Sequence, residues 1–227
     1  MCQKAASGYD MFCRQDFVGI DYGLVDCATY TPLPDYYAGV IWGRTIGTEV
    51  LNVSATNSST GGIRSYAHCS NGGGGVTLVV INLNKQDWDN ATLTIAGRPA
   101  EDLDRDLDLA FPSVVAGTRW LLTGPEGTNS SLVSLNGENV LEMVHNRNAS
   151  DVNASHTLSL PPLAGRNETF HVMNIVTETE TETEAAHGPN GNGDGNRRGL
   201  VIPTIPAESV QFIVLHGLGD LLGCELS

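Results

Sequence analysis

Basic side chains are scarce: 12 Lys and Arg stand against 26 Asp and Glu, a formal net charge of −14 over 227 residues. That imbalance opposes binding to nucleic acid, to anionic membrane surfaces and to heavily sulfated glycans. No run of about 20 apolar residues exists, so no helix of this chain is expected to span a membrane. The N-terminus MCQKAASGYD lacks the apolar core of a signal peptide. The five cysteines (Cys2, Cys13, Cys27, Cys69 and Cys224) include no C-x-x-C pair, and the six histidines show no metal-ligand spacing, which argues against a zinc site. There is no Gly-x-Ser-x-Gly elbow. Gly72 to Gly75 is a glycine turn without the Lys and Ser/Thr of a phosphate-binding loop. Asp102, Asp104, Asp106 and Asp108 alternate in a way that invites a calcium reading. Leu109, however, stands where an EF-hand loop beginning at Asp104 needs its Gly, so a solvated acidic loop is the better reading. No cofactor or metal is called for.

What is present is a core-forming composition, 41% apolar and 6% aromatic, in two patterns. From Arg14 to Leu51 the chain reads as a strand, a loop and a helix. FVGI (Phe17 to Ile20) is apolar and β-branched and empties into the turn formers Asp21 and Gly23. Pro32 and Pro34 hold the chain extended, and Asp35 is placed to cap a helix that carries Tyr37, Val40, Ile41 and Ile46 at helical spacing. Gly47 is placed to stop it. Gly39 and Gly43 cost that helix about 1 kcal/mol each relative to Ala, which a closely packed neighbouring backbone would explain.

Beyond Thr48, runs rich in Val, Ile, Leu and Thr recur between Gly, Asn and Pro clusters: TEVLNVSAT, IRSYAHC, VTLVVINL, ATLTIAG, TRWLLTG, SLVSLNG, NVLEMV, HTLSLPPL, TFHVMNIV and SVQFIVLHG. This spacing is that of an antiparallel sandwich or barrel. Two stretches interrupt it: AEDLDRDLDLAFPSVVAG (100–117), and Thr177 to Gly199, whose low apolar content predicts a flexible excursion between two strands. His68 and His171 fall within strands and read as structural. Trp42, Trp88 and Trp120 fit a core better than a sugar-stacking platform. Cys13, beside the first strand, reads as a core residue. Seven sequons, at Asn52, Asn57, Asn90, Asn129, Asn148, Asn153 and Asn167, point to a secreted glycoprotein or one of the lysosomal or vacuolar lumen. A secreted chain without a signal implies a true N-terminus upstream of Met1.

RQDFVGIDYGLVD followed by PLPDYYAGVIWGRTIGTEVL resembles the end of the catalytic domain of heparanase-like β-glucuronidases, glycoside hydrolase family 79, the plant-type members above all. The resemblance continues in YAHC (Tyr66 to Cys69), VTLVVINL (Val76 to Leu83), LLTGPEG (Leu121 to Gly127), SLNG (Ser134 to Gly137) and LPPL (Leu160 to Leu163). It implies a mainly β chain: residues 1–47 as the last βα unit of a TIM (β/α)8 barrel, and 48–227 as a C-terminal antiparallel β-sandwich with the insertion 177–199. It makes Tyr22 a substrate-binding residue, with Gly19 and Asp21 beside it, although the family's Gly two residues before that Tyr is Ile20 here. It pairs Cys69 with Cys224.

Retaining glycosidases use two carboxyl groups about 5–5.5 Å apart, and the family takes its two catalytic Glu from barrel strands upstream of this segment. Neither is expected in this chain, where Glu49, Asp35, Asp21 and Asp26 are poor substitutes. The expected protein is the C-terminal part of a secreted hydrolase that cleaves β-linked glucuronic acid in proteoglycan or arabinogalactan-type glycans. Its expected partners are a glucuronic-acid-containing glycan and the missing N-terminal barrel portion. The alternative is a non-catalytic secreted β-sandwich module that binds glycan or protein.

Overall fold

A computed structural model describes residues 1–9, 11, 13, 16–18, 23–56, 62–96, 112–140, 163–175 and 197–224. Among these residues a short helix α1 (Cys2–Ala6) and a longer one, α2 (Pro34–Thr45), precede ten strands. These are β1 (Ile46–Thr56), β2 (Ile63–Ser70), β3 (Gly75–Asn82), β4 (Trp88–Ala96), β5 (Val114–Thr123), β6 (Ser134–Leu135), β7 (Glu138–Asn139), β8 (Arg166–Ile175), β9 (Arg197–Ile205) and β10 (Ser209–His216).

Every ladder between these strands is antiparallel, and the order is β10-β3-β2-β1-β4-β9-β8-β5. A further pairing of β10 with β5, from Ser209↔Thr123 to Leu215↔Gly117, joins the two ends. The eight strands therefore form one closed barrel, where a sandwich of two sheets was expected. Closure removes the unpaired edges that a sandwich keeps. The β6–β7 hairpin extends the sheet beside β5: β8 pairs with Val114–Arg119 and β6 with Leu122 and Thr123.

Alternation along the strands sorts their side chains to the two faces. Leu51, Ala67, Val76, Leu78, Val80, Leu93, Phe170, Ile202, Ile213 and Leu215 fill the barrel. On the outer face Val79, Phe212 and Leu122 meet Tyr37 and Ile41 of α2 and Cys2 of α1. β3 is thus buried on both faces, which is why VTLVVINL reads as a continuous apolar run rather than an alternating one. At a buried face, removing about 1 Å² of apolar surface from water contributes roughly 25 cal/mol, so strands covered on both sides contribute most per residue.

Several boundaries differ from the sequence reading. β5 begins at Val114, inside the stretch taken as the first insertion, and β9 begins at Arg197, so Arg197 to Gly199 belong to a strand. The remainder of both insertions, including Asp102 to Asp108, lies outside the described residues. The Gly72–Gly74 turn between β2 and β3 takes three consecutive left-handed conformations, with φ of 83°, 75° and 72°, which only glycine adopts without a steric penalty.

Cys69 and Cys224 form a disulfide with 5.4 Å between Cα atoms, tying the C-terminal segment to β2 across a sequence separation of 155. Cys2 is buried, and burial pushes its thiol up to about 11. Cys13 is exposed, against its reading as core: it lies ahead of Val18, whose bridge to Val25 is the first pairing of this segment among the described residues.

Candidate functional site

The segment that carries the family motif is held by α2 and by a folded loop. Phe17 and Val18, from the expected strand, are described: the Phe17 carbonyl accepts from Leu24 N (3.0 Å) and Val25 N (2.9 Å). Val18 bridges Val25 in parallel, and Val25 bridges Pro32 in turn. Inside this loop Asp26 makes a tight turn. Its Oδ1 accepts from the amides of Ala28 (3.0 Å) and Thr29 (2.7 Å) and from the Thr29 hydroxyl (2.7 Å). The Thr29 hydroxyl bond, with the amides behind it, holds the Asp26 carboxyl below the usual carboxylate range. A carboxylate so occupied is a turn former, unsuited to give up a proton as a catalytic acid.

Helix α2 starts and stops differently from the sequence reading. The N-cap is Leu33 and Pro34 takes the first helical position, so Asp35 sits one step into the first turn and is not the N-cap. Proline suits that position because its missing N–H has no helical partner there anyway. A carboxylate in the first turn still favours the helix dipole. At the other end Gly47 is not the stop. The helix ends at Thr45 and Ile46 passes directly into β1 in extended conformation. The barrel satisfies its last carbonyls: Thr45 O accepts from Thr77 Oγ1 (2.6 Å) and Asn71 N (3.0 Å), and Gly43 O from Asn71 Nδ2 (3.3 Å). Gly47 is needed for a different reason: a Cβ there would stand 2.7 Å from the Cys69 carbonyl oxygen.

α2 presents Tyr37, Ile41 and Thr45 to the barrel as fully buried side chains. The Tyr36 ring packs edge-on against Phe17 (6.2 Å) and Tyr37 (5.6 Å), joining the motif segment to the helix. Trp42 meets His68 of β2 edge-on at 5.4 Å. His68 is 1% exposed, neither ring nitrogen has a hydrogen-bond partner among the described residues, and burial lowers its pKa from the usual 6.5. It is a structural histidine; His171, the other one so read, is exposed on β8.

The tryptophans share no platform. Trp88 packs against the barrel interior, while Trp42 and Trp120 lie on the outer core, where Trp120 Nε1 donates to Leu163 O at 2.9 Å. On the far side of α2, a Cβ at Gly39 or Gly43 would meet open space among the described residues.

Gly19, Asp21 and Tyr22 lie outside the described residues, as do Asn57, Asn148 and Asn153. Asn52, Asn90, Asn129 and Asn167 are all exposed. No group of three or more His, Cys, Asp or Glu suited to a metal ion exists among the described residues, nor a helix long and apolar enough to cross a membrane.

A mainly β chain with a helix seated on a closed barrel does not by itself define an activity. No family model matches the chain. Among curated proteins it is similar to heparanase-like protein 1 of Arabidopsis thaliana, 46% identical over 76 residues, which are 34% of this chain and 14% of that protein. It is also similar to the baicalin-beta-D-glucuronidase of Scutellaria baicalensis, 41% identical over 71 residues, 31% of this chain and 13% of that one. The heparanase of Gallus gallus is 32% identical over 168 residues, 70% of this chain and 28% of that protein. The chain is therefore a relative of the heparanase-like proteins of glycoside hydrolase family 79, matched over partial stretches. It spans between about an eighth and a little over a quarter of these relatives' length.

Proposed function

We propose that this chain is the C-terminal part of a secreted heparanase-like glycoside hydrolase that cleaves β-linked glucuronic acid in proteoglycan or arabinogalactan-type glycans. The observation that carries the reading is the likeness to heparanase over 70% of the chain, reinforced by the match to a protein named for glucuronidase activity. In this reading residues 1–47 are the last strand, loop and helix of the catalytic barrel. The upstream portion covers the open side of α2 at Gly39 and Gly43. The catalytic carboxyl pair belongs to that portion, and this chain contributes Tyr22, with Gly19 and Asp21 beside it, as a contact to the uronate. Exposure of Asn52, Asn90, Asn129 and Asn167 and the Cys69–Cys224 disulfide support passage through an oxidising, glycosylating compartment.

Two measurements test it. The 227-residue chain should not turn over an aryl β-glucuronide above background, and turnover that survives repurification would refute the assignment of the pair to another segment. In the complete enzyme, a Tyr22→Phe change removes a hydrogen bond to a charged group, worth roughly 1.5–3 kcal/mol, and should lower kcat/KM for a glucuronide about 10- to 150-fold. The glucoside, which lacks the carboxylate, should lose much less. A longer polypeptide with no glucuronidase activity would leave the non-catalytic module as the better reading.

A further inference from the structure

Tyr30 holds a backbone conformation that its side chain disfavours. It stands at φ 56°, and the other non-glycine residues described at positive φ are Asn90, Asn136 and Glu208, so it is the only aromatic among them. Glycine and asparagine tolerate the left-handed region, whereas a bulky side chain there is an outlier. The turn imposes it from both sides. The Tyr30 amide donates to Asp26 O (2.9 Å), Asp26 N donates to Thr31 O (2.9 Å), and Thr31 N donates to the Thr29 hydroxyl (3.4 Å). Between them, Asp26 Oδ1 fixes the amides of Ala28 and Thr29. Such a conformation persists only where its surroundings over-determine it, and residues so held gather at active sites and ligand clamps.

The side chain so presented is 74% exposed, so burial does not offset the strain. Glycine would close the same turn without it. Direction is the second observation. Val18 and Val25 bridge in parallel, so the chain leaving Val25 heads the way the expected strand 17–20 runs, and Pro32 returns antiparallel against Val25. The turn 26–31 therefore stands toward the C-terminal end of that strand. In a βα barrel this is the end that carries the chemistry, and the uronate contact assigned above to Tyr22 belongs to the same loop.

The chemistry of the tip narrows the ligand. Residues 26–31, DCATYT, contain no Lys or Arg, and their one carboxylate is engaged by the turn, so nothing there selects a sulfate or a second uronate. A tyrosine ring offers a flat apolar face with a polar tip, and only two side-chain torsions to fix. A neutral pyranose has the matching shape, one face of C–H groups edged by hydroxyls. We propose that Tyr30 is the stacking platform for the neutral sugar that adjoins the glucuronate. This assignment rests on the glycosidase reading and adds to it a specificity-determining residue.

The test uses the complete enzyme and two substrates, methyl β-glucuronide and an oligosaccharide in which β-glucuronate is linked to neutral hexoses. Tyr30→Gly should keep or raise the melting temperature, because glycine suits φ 56°. It should raise KM for the oligosaccharide about 2- to 13-fold, the range of one aromatic contact, and change kcat, or KM for the methyl glucuronide, much less. Tyr30→Phe, which keeps the ring, should stay close to wild type on both. Equal KM changes for the two substrates, or no change for either, would overturn the proposal and leave the glycosidase reading intact. So would a Tyr30→Gly enzyme that melts earlier, as it would if the upstream portion packed over the ring. A complete wild-type enzyme that cleaves neither substrate would instead overturn the reading, and the proposal with it.

Discussion

Gln211 is the place where the barrel interior breaks its own chemistry. It lies on β10 between the inward-facing Ser209 and Ile213, is 0% exposed, and neither its amide nitrogen nor its oxygen has a hydrogen-bond partner among the described residues. Its ladder neighbours are Val80 on β3 and Leu121 on β5, whose side chains offer nothing polar. Leaving a buried polar group unsatisfied costs about 1–3 kcal/mol, and replacing it by an apolar group of the same shape recovers that cost. Methionine has nearly the length and flexibility of glutamine and needs no partner. Gln211→Met should therefore stabilise the chain by about 1–3 kcal/mol. For a protein of this size that corresponds to a rise of roughly 2–12 °C in Tm. Urea unfolding monitored by circular dichroism would read the change as a higher midpoint at unchanged slope. A loss of 1 kcal/mol or more would mean that the amide is bonded in the folded protein, and would refute the reasoning.

The disulfide, the helix seat and the buried histidine give three more expectations. Reducing Cys69–Cys224 reopens a loop with a sequence separation of 155; the chain-entropy model assigns this roughly 5 kcal/mol as an upper figure, so the midpoint in denaturant should fall clearly on reduction, and an unchanged midpoint would contradict it. Gly47→Ala drives a Cβ to within 2.7 Å of the Cys69 carbonyl, a backbone atom that cannot swing away; it should cost about 1–3 kcal/mol by calorimetry, and a neutral outcome would show that β1 and β2 separate freely. Burial lowers the pKa of His68 below 6.5, so the unfolded chain binds the proton more readily. The stability tied to neutral His68 is fully present above about pH 6.5 and is lost as the pH falls through the lower folded value. His68→Leu should flatten that part of the pH profile, and an unaltered slope would exonerate the histidine.

How much of this was legible in the sequence depended on how local the cause was. β1 to β5, β8 and β10 announced themselves as runs of β-branched and apolar residues, since half-buried or doubly buried strands leave that imprint. β9 did not: LVIPTI follows a Gly- and charge-rich stretch and contains Pro203, so the apolar run is short and the strand's first three residues, Arg197 to Gly199, fall in the expected insertion. Closure into a barrel was also invisible, because the alternation of a strand is the same whether its sheet curls or faces another. Only the β10–β5 ladder, between residues some 90 positions apart in sequence, decides it. Gly47 was read as a helix stop because a glycine after a helix is commonly one. Its actual reason, a carbonyl on β2, is a tertiary contact. The Cys69–Cys224 pairing came from the resemblance, and periodicity alone would not have supplied it.

The two faces of β3 and β10 connect these observations to function. The same strands that send Leu78 and Ile213 into the barrel send Val79 and Phe212 out against Tyr37 and Ile41 of α2. Thr77, from β3, donates to the last carbonyl of that helix. α2 is therefore fixed along one buried side and at its C-terminal end, not merely tethered by the chain that runs into β1. Phe17 reaches the helix through Tyr36, so the backbone entering and leaving the motif loop is referred to the barrel at both ends. A catalytic loop needs such a fixed frame, because misplacing a substrate contact by about 1 Å can cost 100-fold in rate. On the proposed reading, the β-barrel's contribution to glucuronide cleavage is positional: it holds the segment bearing Tyr22 in place through α2. Substitutions on the outer face of β3 and β10 should then affect activity in the complete enzyme more than equally destabilising ones inside the barrel.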